Sequence, residues 1–254
     1  MNGIIDFHTH PFIDCADNLC MYKDSVRMDC NDFLNDIKSV GITTFCGSVI
    51  HRELKGFDTL RKSNRDALKL KEIYGDAYIP GIHVHPEFIE DSKHEVEFAV
   101  ENNIKIIGEL VPYMHGWLDY ACEEFSEILD YIGNYSLIVS LHTMDQEQMR
   151  QMAEKHRNVK FVFAHPGERA NVDKHIEIIK NTDNVYLDIS GTGLFRYGVL
   201  RHLADEVGAE KILFGTDYPI GNLSMYINGV LGEKLSEKER NRILYENAAE
   251  LLKL

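Results

Sequence analysis

Two histidines one residue apart close the first apolar stretch of the chain, Ile4-Ile5-Asp6-Phe7-His8-Thr9-His10-Pro11. On an extended strand residues i and i+2 face the same side. His8 and His10 can therefore hold one cation between neutral imidazole nitrogens, donors suited to Zn²⁺ and neighbouring first-row ions. Further donors follow later apolar runs: Glu109 in Ile106-Ile107-Gly108-Glu109, His142 in Leu141-His142-Thr143, His165 in Ala164-His165-Pro166-Gly167, and Asp217 in Gly215-Thr216-Asp217-Tyr218-Pro219. A carboxylate beside a metal-activated water can take or relay its proton, and Asp217 is placed for that task. Each piece alone has a plainer use, such as a satisfied core histidine or a helix-capping aspartate. The same residue types recurring at five strand ends is what points to a metal centre.

Those donors need a frame that brings strand ends together. Short apolar runs near 3–7, 43–49, 77–84, 105–109, 137–141, 160–164, 185–189 and 211–214 alternate with amphipathic stretches near 31–40, 59–74, 94–102, 120–132, 146–155, 172–180, 195–207 and 237–252. Runs such as Phe161-Val162-Phe163-Ala164 are apolar on both faces, as parallel strands covered by helices are. Eight strands alternating with helices predict an α/β fold of the (β/α)8 TIM-barrel type, whose chemistry gathers at the carboxyl ends of the strands. A doubly wound sheet would want a glycine-rich phosphate turn, GxGxxG or GxxxxGK[ST], and the chain has neither. With no repeat, low-complexity tract or Pro/Gly linker, one domain over 1–254 is expected.

The net charge of −14 over 254 residues argues against a nucleic-acid surface and suits attraction of cations. Five cysteines form no CxxC pair and follow no secretory signal, so reduced thiols and a cytoplasmic location are expected. No apolar run approaches the roughly 18 residues that span a bilayer. The partner expected is a small-molecule substrate, and assembly into a homo-oligomer stays open.

The set Asp6-Phe7-His8-Thr9-His10-Pro11, His142, Phe163-Ala164-His165-Pro166-Gly167, Asn184-Val185-Tyr186-Leu187-Asp188-Ile189-Ser190-Gly191, Phe214-Gly215-Thr216-Asp217-Tyr218-Pro219 and the ending Ile243-Leu244-Tyr245-Glu246-Asn247-Ala248-Ala249-Glu250-Leu251-Leu252 resembles the amidohydrolase superfamily, in its amidohydrolase-related branch. The resemblance covers nearly the whole chain in order. It implies a distorted barrel with one or two divalent metals; Zn²⁺ is the ion expected, with Mn²⁺, Fe²⁺ or Ni²⁺ as alternatives. It gives His8, His10 and Asp217 to the more buried ion. It gives His142 and His165 to a second ion, or divides them between metal binding and substrate polarisation. Many two-metal relatives carry a modified lysine at the end of strand four; Glu109 stands there instead and resembles the bridging glutamate of TatD-type deoxyribonucleases.

A second HxH step, His83-Val84-His85, offers a pocket-lining residue in His85 and a buried one in His83. The loop after strand four carries Tyr113, His115 and the lone Trp117, side chains suited to substrate contact. Arg196 offers a guanidinium for a carboxylate or phosphate. The expected activity is hydrolysis of an amide, ester or lactone by metal-activated water, with Asp217 shuttling the proton and His165 assisting. A decarboxylase of aromatic or unsaturated acids, a phosphodiesterase, and a barrel that binds without turnover are the alternatives.

Overall fold

The computed structural model describes residues 3–51 and 54–254. Eight parallel strands follow one another around a barrel in sequence order: β1 (Ile4–Thr9), β2 (Ile42–Ser48), β3 (Tyr78–Ile82), β4 (Ile106–Leu110), β5 (Ile138–His142), β6 (Lys160–Ala164), β7 (Val185–Asp188) and β8 (Ile212–Leu213). This is the single-domain TIM barrel that the alternation predicts. The surrounding helices are α1 (Cys30–Ser39), α2 (Phe57–Tyr74), α3 (Ile89–Glu101), α4 (Pro112–His115), α5 (Glu123–Ile132), α6 (Gln146–Lys155), α7 (Arg169–Asn181), α8 (Val199–Val207), α9 (Leu223–Gly232), α10 (Glu237–Asn241) and α11 (Asn247–Leu252). Side-chain caps mark several starts. Asp29 and Asp32 form a reciprocal capping box at α1, Asp145 caps α6, and Ser236 with Glu239 boxes α10.

Helix boundaries depart from expectation where a local feature intervenes. The helix expected over 195–207 starts at Val199, because Gly198 before it is left-handed with φ of 93°. The stretch expected as one helix over 237–252 is α10 and α11 joined by a π-type turn, Arg242–Glu246. Helix α9, LSMYINGVLG, is not among the expected helices; it buries Leu223, Tyr226, Ile227 and Val230 at helical spacing, a stripe that the exposed Met225 and Leu231 and two glycines obscure.

The core has two layers. An outer layer packs the strands against the helices through residues such as Phe45, Tyr78, Phe125, Phe161 and Leu203. The barrel interior is filled by Ile5, Phe7, Cys46, Ile106, Ile138, Val162 and Leu213, and α11 packs Ala248, Leu251 and Leu252 against them. In β1, Phe7 joins this interior layer while its neighbour His8 reaches residues of β4 and β7. The β1–β2 register shifts between Asp6 and Thr9, an irregularity that re-aims side chains at a barrel rim.

The first and last strands meet at a thin seam. Phe7 donates its amide to the Phe214 carbonyl at 2.8 Å, His10 to Tyr218 at 2.7 Å, and Asp217 to His8 at 2.9 Å. The Asp6 carboxylate strengthens the seam by accepting from the Thr216 amide at 3.1 Å and its hydroxyl at 2.6 Å. Among the described residues no helix is long and apolar enough to cross a membrane.

Candidate metal centre

The seam places three expected ligands side by side. His8 lies in β1, His10 directly follows it, and Asp217 follows β8. The Nε2 atoms of His8 and His10 lie 3.2 Å apart. Asp217 Oδ1 is 3.1 Å from His10 Nε2 and 3.6 Å from His8 Nε2. Glu109, at the end of β4, brings Oε2 to 3.1 Å from His8 Nε2 and 3.3 Å from His10 Nε2. The two Nε2 atoms thus each lie 3.1–3.6 Å from both carboxylate oxygens. Donors about 2.0–2.2 Å from a tetrahedral ion sit about 3.3–3.6 Å from one another, so this spacing fits a divalent first-row cation.

Glu109 has a second face. Its Oε1 lies 3.0 Å from His142 Nδ1 and 3.5 Å from His165 Nε2, and those two nitrogens are 3.1 Å apart. One buried carboxylate therefore faces His8 and His10 with one oxygen and His142 and His165 with the other, and His165 meets Ser190 through its other ring nitrogen. Burial pushes the Glu109 carboxyl up, but the charge on His8 and hydrogen bonds from His10, His142 and His165 hold it well below its ordinary 4.5. Burial pushes His8 down, and the Glu109 and Asp188 carboxylates outweigh it, holding His8 well above 6.5. His10 and His165 are raised against the same burial, by hydrogen bonds to Asp217 and Glu109 and to Glu109 respectively. The Asp6 carboxyl beneath is pushed up to about 7 by burial, although Thr216 and the His8 amide oppose the shift.

Backbone conformation aims these side chains. His165 and Asp217 are left-handed, with φ of 69° and 60°. Such conformations cost free energy in a non-glycine residue and cluster at functional positions. Two glycines let the strands close in. A Cβ on Gly191 would come within 2.1 Å of His165 Nδ1, and one on Gly215 within 2.9 Å of the His8 Cβ and 3.2 Å of Asp188 Oδ1.

Asp188 and Ser190, at the end of β7 and just beyond it, have no role in the sequence reading beyond matching the family pattern. Asp188 Oδ2 is 3.0 Å from His8 Nδ1. Ser190 Oγ lies 3.0 Å from His8 Nδ1 and 3.1 Å from His165 Nδ1. An Asp-x-Ser step at a strand end repeats the same-face spacing of His8 and His10, and that is the signal by which sequence could have found it.

The other expected site residues disperse. His85 is fully buried, its Nε2 2.9 Å from the His115 carbonyl and its Nδ1 accepting from the Glu87 amide at 3.2 Å. His83 is also buried, its Nε2 2.9 Å from the Val49 carbonyl. Trp117 packs on Tyr120, Phe125 and His85. His115 is buried edge-on to His83, with ring centroids 5.1 Å apart. Arg196 is exposed and pairs with Glu168 at 3.2 Å. Tyr113 is the loop aromatic that reaches the centre: it is 56% exposed and stands edge-on to His142 at 5.2 Å.

Comparison with known proteins adds the lineage. An amidohydrolase family model matches residues 5–254. A gamma-resorcylate decarboxylase of Polaromonas sp. is 36% identical over 101 residues, and one of Rhodococcus jostii is 35% identical over 101 residues. Each match spans 39% of this chain and 28% of the relative. Among solved structures, 2,6-dihydroxybenzoate decarboxylase from Rhizobium superposes with a TM-score of 0.77 at 16% identity, covering 100% of this chain and 99% of that one. A dihydroxybenzoic acid decarboxylase from Polaromonas sp., with bound manganese and 2-nitroresorcinol, gives 0.71 at 17% identity over 100% of this chain and 98% of that one. These findings correct the expectation of amide, ester or lactone hydrolysis, since the curated relatives are decarboxylases. The expectation of a divalent cation stands, and manganese, one of the expected alternatives to zinc, is the ion bound in that Polaromonas structure. With the family model spanning almost its whole length, the chain belongs to the amidohydrolase family.

Proposed function

We propose that the protein is a metal-dependent decarboxylase of an aromatic acid carrying a hydroxyl beside its carboxylate. The observation that carries this reading is the 36% identity to gamma-resorcylate decarboxylase over 101 residues. The donor geometry supports it by supplying a cation site at a barrel mouth. His8, His10, Glu109 and Asp217 would hold the ion, and Glu109 with His142 and His165 offers room for a further one. A bound divalent cation supplies positive charge that anchors and neutralises the substrate's carboxylate and hydroxyl oxygens.

The chain's own residues would do the proton work. Asp217 delivers a proton to the ring carbon that bears the carboxylate, which interrupts the ring's aromaticity. The bond from that carbon to the carboxylate then breaks, its electron pair restores the ring, and carbon dioxide leaves. Asp217 regains its proton from the substrate hydroxyl or solvent. Tyr113 offers a ring face at the open side of His142 where an aromatic acid would stack. The low exposure of His8, His10 and Glu109 would keep bulk water from the ring while its aromaticity is interrupted.

Incubating Mn²⁺-loaded protein with 2,6-dihydroxybenzoate and other ortho-hydroxy aromatic acids, while measuring released carbon dioxide and the decarboxylated phenol, tests the reading. Stoichiometric release from at least one hydroxylated acid, with none from benzoate, is expected. No release across the panel from protein that retains its metal would overturn it.

A further inference from the structure

We propose that Asp188 and Ser190 are positioning residues that fix His8 and His165 with the proton on Nδ1 and the lone pair of Nε2 turned to the barrel mouth. The inference rests on the proposed reading only in taking these two rings as working parts of the centre.

Proton accounting carries the argument. The Ser190 hydroxyl has one hydrogen, and it donates that hydrogen to Asp188 Oδ1. The same carboxylate oxygen accepts the Ser190 amide at 2.9 Å. Having spent its hydrogen, Ser190 Oγ can only accept, and His165 Nδ1 stands 3.1 Å away. That nitrogen must therefore carry the proton. His8 Nδ1 faces Asp188 Oδ2 at 3.0 Å and Ser190 Oγ at 3.0 Å, acceptors both, so it too must be a donor. In a neutral imidazole the other nitrogen is then the lone-pair atom. The reverse arrangement, with Ser190 donating to an imidazole, would leave the lone pairs of Ser190 Oγ and Asp188 Oδ1 facing one another in contact.

One serine hydroxyl thus ties together two histidines that belong to different donor sets. His8 Nε2 faces Glu109 Oε2 and His10, while His165 Nε2 faces His142 and Glu109 Oε1. Asp188 and Ser190 are both fully buried, so water does not compete for these bonds. Partners that hold the far nitrogen of a ligating histidine set its tautomer and ring angle, and losing them typically costs about 10–100-fold in metal affinity.

The test uses the full-length protein and needs no substrate, so its outcome is independent of whether the decarboxylase reading stands. In Zn²⁺-loaded protein labelled with ¹⁵N-histidine, two exchange-protected Nδ1–H protons, on His8 and His165, are expected. Ser190→Ala should expose the His165 proton to exchange and leave that of His8 protected through Asp188. Mn²⁺ binding, followed by the paramagnetic signal of the free ion, should weaken about 10–100-fold in Ser190→Ala. Asp188→Asn should weaken it likewise and should also lose protection at His8. Ser190→Ala removes one oxygen, so it supplies the result if Asp188→Asn does not fold. A wild-type proton on Nε2 of either ring would overturn the proposal. So would a Ser190→Ala protein that keeps the protected His165 proton and wild-type Mn²⁺ affinity.

Discussion

Asp217 and Glu109 are both carboxylates within the centre, yet they are asked to do different things, and single-atom substitutions separate them. Asp217 offers Oδ1 to His8 and His10 and follows a left-handed turn after β8. Asp217→Asn keeps an oxygen donor but cannot hold a proton for transfer. Turnover is expected to fall about 10²–10⁴-fold with metal content largely retained. Full activity in the metal-replete variant would remove Asp217 from the proton path. Glu109 instead spans two donor sets, with Oε2 toward β1 and Oε1 toward His142 and His165. If it bridges, elemental analysis after Mn²⁺ loading and dialysis should count two ions per chain, falling toward one in Glu109→Gln. A wild-type count of one, unchanged by the substitution, would assign His142 and His165 to substrate rather than to a second ion.

At the scale of elements, what matters is how closely strands may approach. Gly215, following β8, lies against the His8 Cβ, Asp188 Oδ1 and the Ser190 Cβ. Gly215→Ala should force β1 and β7 apart, at a cost of about 1–3 kcal/mol for an overpacked methyl. Thermal unfolding should come earlier and Mn²⁺ affinity should drop, and a variant unchanged in both would show the contact to be slack. The strands themselves were legible because a run such as Phe161-Val162-Phe163-Ala164 is apolar on both faces. The donors were legible because they end those runs. Helix α9 was not legible, since the exposed Met225 and Leu231 and two glycines obscure its buried stripe. Asp188 and Ser190 carry no task legible in sequence, because Ser190 meets His8 only once the barrel closes across 182 residues of chain. Trp117 and His85 show the converse limit: sequence places them on mouth loops, but packing against Tyr120, Phe125 and Phe88 decides where their side chains turn.

For the whole molecule, acid stability is set partly by histidines outside the donor sets. Burial holds His83 down to about 3 and His115 down to about 4, from an ordinary 6.5, and each ring's neighbour adds to the shift. Both are neutral when folded, whereas an unfolded chain would protonate them below pH 6.5. The contribution of these two rings to stability should therefore rise with pH between about 4 and 6.5 and level off above, each adding at most about 1.4 kcal/mol per pH unit. Urea unfolding at pH 5, 6 and 7.5 should show a shallower slope for His115→Gln than for wild type, and equal slopes would exclude His115 as a source. The seam between β1 and β8 has a different consequence. Its clasp joins Asp6 to Thr216, 210 residues apart, while β8 itself is only two residues long. A cation shared by His8, His10 and Asp217 would fasten the same circle a second time, as a covalent bridge does, by denying the chain its open forms. The barrel would then part at this edge no faster than the ion departs, and the lifetime of the closed ring would be metered by the metal's escape rather than by the fraying of strands.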